Sequence, residues 1–248
     1  MNKVFISGSI SIKKLPLEVI NSIEIMIEKN MTILVGDALG VDSLVQDIFN
    51  KKNYFNVIIY SITSTPRYKA NIKFQEKKIQ VNQDIKSQRK RQTYKDEAMT
   101  KDSTFSLVIW DGKSKGSYAN IKRALELKKG VKVYYTKIES YLKKEKILED
   151  EIDYIYRENN GYTASEVIEY LQNNGIEKYN RSQDLNSFLI KENLLKKEGK
   201  IYTPTDKNSQ LFIIEEYRGK PKGVKFSNQF IDWIEKCSMK KLHQSSLF

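Results

Sequence analysis

The most constraining feature of this chain is a set of short runs in its first half that are apolar on both faces. Val4-Phe5-Ile6-Ser7, Thr32-Ile33-Leu34-Val35, Val57-Ile58-Ile59-Tyr60 and residues 105–110 have this character, and residues 131–135 close the series. Between them lie segments with helical spacing. Residues 15–29 place Leu17, Ile20, Ile23 and Ile27 on one stripe, and residues 41–50 and 118–128 behave similarly. Strands buried on both faces and alternating with helices require a parallel sheet covered on both sides. The expectation is an α/β fold, a Rossmann-like parallel sheet flanked by helices. The segment 63–101 is less regular, with an edge strand expected at 78–81 and a helix at 84–99.

In such a sheet ligands sit beyond the carboxyl ends of the strands, near the point where strand order reverses. The turns after the strands are therefore the candidate site. The first is Ser7-Gly8-Ser9. The second is Gly36-Asp37-Ala38-Leu39-Gly40-Val41-Asp42. The third, Asp111-Gly112-Lys113-Ser114-Lys115-Gly116-Ser117, again opens a helix. Free amides at a helix start attract anions. The competing account of each glycine is a tight strand-to-helix turn with no ligand. Neither a Walker A loop nor Gly-x-Gly-x-x-Gly occurs, which takes most of the support from ordinary ATPase and dehydrogenase readings.

Two counts exclude further chemistry. Cys237 is the only cysteine and His243 the only histidine in 248 residues. A Cys/His zinc site, an intrachain disulfide and an iron–sulfur cluster are excluded, and a histidine-assisted nucleophile would have to use that late residue. No metal and no cofactor is assigned. No run approaches the roughly 20 apolar residues of a membrane span, and Met1 leads directly into a strand-like run. A cytoplasmic protein with no membrane partner is expected.

The formal charge is +12, and it is uneven. Residues 1–149 carry 28 basic and 16 acidic side chains, whereas residues 150–248 carry 15 of each. Residues 67–101 alone hold 11 basic and 4 acidic residues, including Arg89-Lys90-Arg91. This is either a solvated lysine-rich face or a surface that attracts phosphate.

The turns at Gly36-Asp37-Ala38-Leu39-Gly40-Val41-Asp42 and at Trp110-Asp111-Gly112-Lys113-Ser114-Lys115-Gly116-Ser117 together resemble the SLOG superfamily. That group includes the LONELY GUY phosphoribohydrolases, the Rossmann domain of DNA-processing protein A and ligand-sensing domains of bacterial conflict systems. The first turn is similar to that of the YspA/YpsA branch. The resemblance spans roughly residues 1–136. It implies a nucleotide or nucleotide-derived ligand at these turns, whose phosphate the backbone amides would cradle, with charge added by Lys113 or Lys115 and ribose held by Asp37 or Asp111, and a setting in phage–host conflict. The LONELY GUY enzymes carry Arg-Lys-x-x-Met followed by Gly-Gly-x-Gly-Thr-x-x-Glu. Here Lys95-Asp96-Glu97-Ala98-Met99 and Gly116-Ser117-Tyr118-Ala119-Asn120 are the nearest matches. Lys95 replaces the arginine and Asn120 the catalytic glutamate. An amide cannot act as a general acid or base, so glycosidic hydrolysis would need another carboxylate among Asp37, Asp42, Asp96, Glu97 and Asp111.

A second domain is expected over residues 148–248, after a first of residues 1–140. Helices at 148–157, 164–173 and 182–192, then a hairpin or wing from 194 to 202, describe a small winged-helix-like α+β domain. A strand at 211–217 and a helix at 228–236 follow. The stretch Asp184-Leu185-Asn186-Ser187-Phe188-Leu189, continued by Tyr202-Thr203-Pro204-Thr205-Asp206-Lys207, resembles the carboxyl-terminal domains of phage antirepressors. Arg181, Gln183, Asn186 and Lys191 would touch phosphate or base edges if this domain met DNA, although its net charge of zero resists that. Assembly into a homo-oligomer is the competing role.

Three functions follow. The first is a sensor or regulator that binds a nucleotide or nucleotide-derived ligand. The second is a nucleotide or dinucleotide N-glycosidic hydrolase. The third is a single-stranded nucleic-acid-binding protein with Arg89, Lys90, Arg91 and Arg181 on the backbone.

Overall fold

A computed structural model describes residues 2–205 and 210–245, the side chains of Tyr217 and of residues 239–245 excepted. Asp206 and Lys207, and the side chain of His243, lie outside the described residues. The chain divides into two compact units, Met1–Asp153 and Tyr154–Phe248.

Unit 1 is built on one sheet. Its elements run β1 (Lys3–Gly8), α1 (Leu17–Glu28), β2 (Thr32–Val35), α2 (Val41–Lys51), β3 (Val57–Ser61), β4 (Gln75–Lys78), α3 (Gln88–Asp102), β5 (Phe105–Trp110), α4 (Lys115–Glu126), β6 (Gly130–Tyr135) and β7 (Ser140–Tyr141). The strand order is β4-β3-β2-β1-β5-β6-β7, and every pairing is parallel except β6 with β7. The chain builds outward from β1 to β4, then crosses back to lay β5 on the other side of β1. Strand order therefore reverses between β1 and β5.

Alternate residues of the central strands feed two apolar layers. Val4, Ile6, Ile33, Val35, Leu107 and Ile109 meet α1 and α2 through Val19, Ile23, Met26, Val41, Val45 and Phe49. Phe5, Leu34 and Tyr60 point the other way and meet Met99 of α3. Each central strand is buried on both sides, as its continuous apolar run requires. This is the expected α/β sheet, Rossmann-like and flanked by helices.

Two expectations shift in detail. The edge strand forms at Gln75–Lys78 rather than 78–81, and α3 begins at Gln88 rather than near residue 84. All four residues of β4 are exposed, so no apolar alternation marks it. Ser87 sets the start of α3 by accepting from the Lys90 amide at 3.4 Å.

Unit 2 contains most of α5 (Glu149–Asn160), then α6 (Ala164–Asn173), α7 (Ser182–Lys191), the hairpin β8 (Leu195–Glu198) and β9 (Ile201–Pro204), the hairpin β10 (Phe212–Tyr217) and β11 (Lys220–Phe226), and α8 (Asn228–Ser245). Thr163 and Glu166 form a reciprocal cap at the start of α6. Val167, Leu171, Leu185, Leu189, Phe226, Phe230 and Ile234 form the core. The late aromatics Phe226 and Phe230 are thus core residues, with ring centroids 4.5 Å apart. Sequence reading missed β11, because Lys220-Pro221-Lys222-Gly223 looks like a turn. Pro221 is tolerated in this two-stranded hairpin beside the irregularity at Glu215/Glu216.

Candidate functional site

Beyond the carboxyl ends of β1 and β5, at the reversal of strand order, lies a cleft of 470 Å³. Its floor is Phe5, Ser7, Gly8 and Met99, and its walls come from α3, α4, the turn that follows β2 and Arg67 of the segment after β3. Of the turn residues singled out in the sequence, Ser7, Gly8, Ala38, Asp42, Ser114, Lys115, Gly116 and Ser117 line this cleft. Ser9, Gly36, Asp37, Gly40, Asp111, Gly112 and Lys113 do not.

The turn before α4 is held by Asp111. Its Oδ1 accepts from the amides of Lys113 at 2.9 Å and Ser114 at 2.7 Å, and its Oδ2 accepts from Ser11 at 2.8 Å. Burial works against these contacts, yet together they hold the Asp111 carboxyl below the usual range. Trp110 Nε1 donates to the Ser114 carbonyl at 3.2 Å, and Ser114 Oγ accepts from the Ser117 amide at 3.4 Å. The Lys115 and Gly116 amides are left without an acceptor among the described residues. A Cβ on Gly116 would meet nothing nearer than Ser114 Oγ at 4.0 Å. Here the helix start is open to an anion.

Gly8 and Gly40 answer to packing. A Cβ on Gly8 would fall 2.5 Å from the Ile109 carbonyl oxygen and from Val41 Cγ2. Gly40 has φ +86° and its missing Cβ faces the Ile10 backbone at 2.7 Å. Both let β1, α2 and the Ile10 loop approach closely, which is the ligand-free account of these strand-to-helix turns.

Asp37 is occupied. Only 1% exposed, it accepts from Arg67 Nη2 at 2.6 Å and Lys95 Nζ at 2.9 Å through Oδ1, and from the Arg67 amide at 3.2 Å through Oδ2. Burial would raise its pKa, but the Arg67 guanidinium and the Lys95 ammonium hold it far below the ordinary carboxylate range. It anchors two cations of the cleft wall rather than presenting itself to a ribose.

Five basic side chains line the cleft: Arg67, Arg89, Lys95, Lys115 and Arg123. Asp42 and Asp96 are its two carboxylates. Arg123 Nη1 donates to Asn120 Oδ1 at 2.8 Å, so the Asn120 amide steadies a cation of the cleft wall. Asp42 Oδ2 accepts from the Ala38 amide at 3.2 Å, and burial raises its pKa despite the nearby Lys95. Asp96 is pushed up to about 6, first by burial and then by the neighbouring Asp42 charge, against the pull of Lys95, Arg123 and Arg67. Ser7, 5% exposed, lines the cleft with an Oγ that has no hydrogen-bond partner among the described residues.

Of the basic run on α3, Arg89 lines the cleft, Lys90 is exposed outside it, and Arg91 is half-buried. Arg181 belongs to unit 2, where it pairs with Asp184 at 3.2 Å. Sequence reading of the turns missed Arg67, Gln92, Thr93 and Arg123 as wall residues. The first three lie in the basic stretch 67–101, whose charge was the only signal for them. Among the described residues no cluster of His, Cys, Asp and Glu could hold a metal ion, and no helix is long and apolar enough to cross a membrane.

No protein-family model matches the chain, and no curated protein matches it. Among solved structures it is similar to DNA processing protein A from Helicobacter pylori, described for its unique single-stranded DNA binding mode. The identity is 17%, the overlap covers 77% of this chain and 81% of that one, and the TM-score is 0.41. So shallow a similarity carries no residue-by-residue correspondence.

Proposed function

We propose that unit 1 binds a nucleotide or nucleotide-derived ligand in the cleft between β1 and β5, with a phosphate against the start of α4. One observation carries this reading. A single 470 Å³ cleft gathers the free amides of Lys115 and Gly116, the unpartnered Ser7 hydroxyl, and five basic side chains against two carboxylates. The phosphate would take the amides and the Arg123 and Arg67 guanidinium groups, which suit planar, bidentate recognition. The nucleoside would lie toward Phe5, Met99 and the α3 wall. In this reading the chain is a SLOG-like sensor or regulator, and residues 148–248 are a winged-helix-like module for self-assembly or for contact with DNA or a protein partner.

The test is incubation of the full chain with nucleoside mono-, di- and triphosphates, cyclic nucleotides, NAD and ADP-ribose, with melting temperature and chromatography followed together. A ligand that raises the melting temperature and is recovered intact supports a binding protein. A ligand consumed with release of free base replaces it by the N-glycosidic hydrolase, with Asp96 the carboxylate to test first. No stabilisation by any of them overturns the reading.

A second reading is single-stranded nucleic acid. It is favoured by exposed Arg89 and Lys90 at and beyond the rim of the cleft, within the most basic stretch of the chain. A strand would then place one phosphate at α4 and its neighbours along α3.

A further inference from the structure

The opposite edge of the unit 1 sheet carries a second cavity, of 420 Å³, at the amino-terminal ends of β1 and β5 and beside β6. Its apolar wall comes from Val4, Ile25, Met26, Met31 and Phe105, and Lys132 of β6 also lines it. Ile25 is 48% exposed, so the cavity opens to solvent. The only basic group in this lining is poorly neutralised. Lys132 Nζ donates to Ser22 Oγ at 3.3 Å and lies 3.8 Å from the centroid of the Tyr141 ring. It has no carboxylate partner among the described residues. Burial pulls its pKa below that of an ordinary lysine. Ser22 is itself committed, donating to the Glu18 carbonyl at 3.0 Å and sharing a 2.7 Å hydrogen bond with the Tyr141 hydroxyl. Hydroxyl and ring therefore fix the ammonium in place without cancelling its charge.

We propose that this cavity is a second ligand site, specific for a small amphipathic carboxylate whose apolar chain lies along Met26, Met31 and Phe105 and whose carboxylate pairs with Lys132. The volume falls within the range of small-molecule sites, and a mostly apolar lining with one oriented polar group is their usual composition. An uncharged amphiphile would fill the same wall but leave the ammonium unpaired. A bare phosphate would find one cation and no apolar partner. Specificity thus requires both features in one molecule. The site shares no residue with the cleft at the other edge, so this inference stands apart from the nucleotide reading.

Calorimetric titration of the full chain with decanoate and with decanol tests it. Decanoate is expected to bind with one molecule per chain, and decanol at least tenfold more weakly. Lys132→Met should bring decanoate down to the decanol value. Ile25→Asp, at the exposed mouth, should also weaken decanoate by charge repulsion while leaving the melting temperature unchanged. Absence of decanoate binding, equal binding of the two amphiphiles, or decanoate binding untouched by both substitutions overturns the proposal. Gly116→Trp in the first cleft should leave decanoate affinity unchanged, and a loss there would place the ligand in the wrong cavity.

Discussion

Lys95 Nζ sits 2.9 Å from Asp37 Oδ1, with the two side chains 4% and 1% exposed. The pair joins α3 to the turn after β2 beneath the candidate cleft, and Arg67 shares the same carboxylate at 2.6 Å. One buried anion thus positions two of the five cations that line the cleft.

Removing that anion should destabilise unit 1. Asp37→Ala takes from buried Lys95 its hydrogen-bonded carboxylate, and breaking a buried pair in this way costs on the order of 3–5 kcal/mol. Because the Asp37 carboxyl is depressed in the fold, its stabilisation is present above the ordinary carboxylate range and is lost as pH falls through its own lower value. Urea unfolding at neutral pH should show the loss. A variant as stable as the parent would mean that the pair is not buried as described.

Asp96 should behave in the opposite sense. Its pKa of about 6 lies above the ordinary 3.8, so the folded state holds the proton more tightly and loses stability as pH rises between those values. Asp96→Asn should be more stable than the parent at pH 8, by about 1–2 kcal/mol after allowance for solvent screening. The difference should vanish below pH 4. Thermal melts across this range decide it, and equal stability at pH 8 contradicts the assignment.

The nucleic-acid reading makes a separate demand on α3. If a strand runs along it, Arg89→Ala/Lys90→Ala should weaken binding of an oligodeoxythymidine and flatten the salt dependence by about 1.4 in log–log slope, about 0.7 per lost phosphate contact. Fluorescence anisotropy at several salt concentrations measures this. An unchanged slope removes α3 from any such interface. Lys90→Ala alone should leave mononucleotide affinity intact, since Lys90 does not line the cleft.

The sequence made the sheet legible wherever both faces of a strand are buried, as in Ile33-Leu34-Val35. It was mute at β4, whose residues are all exposed, and at β11, where Pro221 and Gly223 mimic a turn. The turn at Ser114–Ser117 was readable because a small-residue helix start is a local property. The state of Asp37 was not. Its partner Lys95 lies 58 residues away, and nothing local to Gly36-Asp37-Ala38 shows that the carboxylate is taken. Arg123 was equally hidden, because its place in the wall follows from the rotation of α4 and not from a motif.

Gly116 tests the central claim most directly. Its Cβ position is open, so Gly116→Trp should fold with the melting temperature of the parent and fill the space in front of the α4 amides. Titration calorimetry with the nucleotide that most stabilises the parent should show at least a hundredfold loss of affinity in the variant. A folded Gly116→Trp protein that binds that nucleotide as tightly as the parent would contradict the assignment of the cleft.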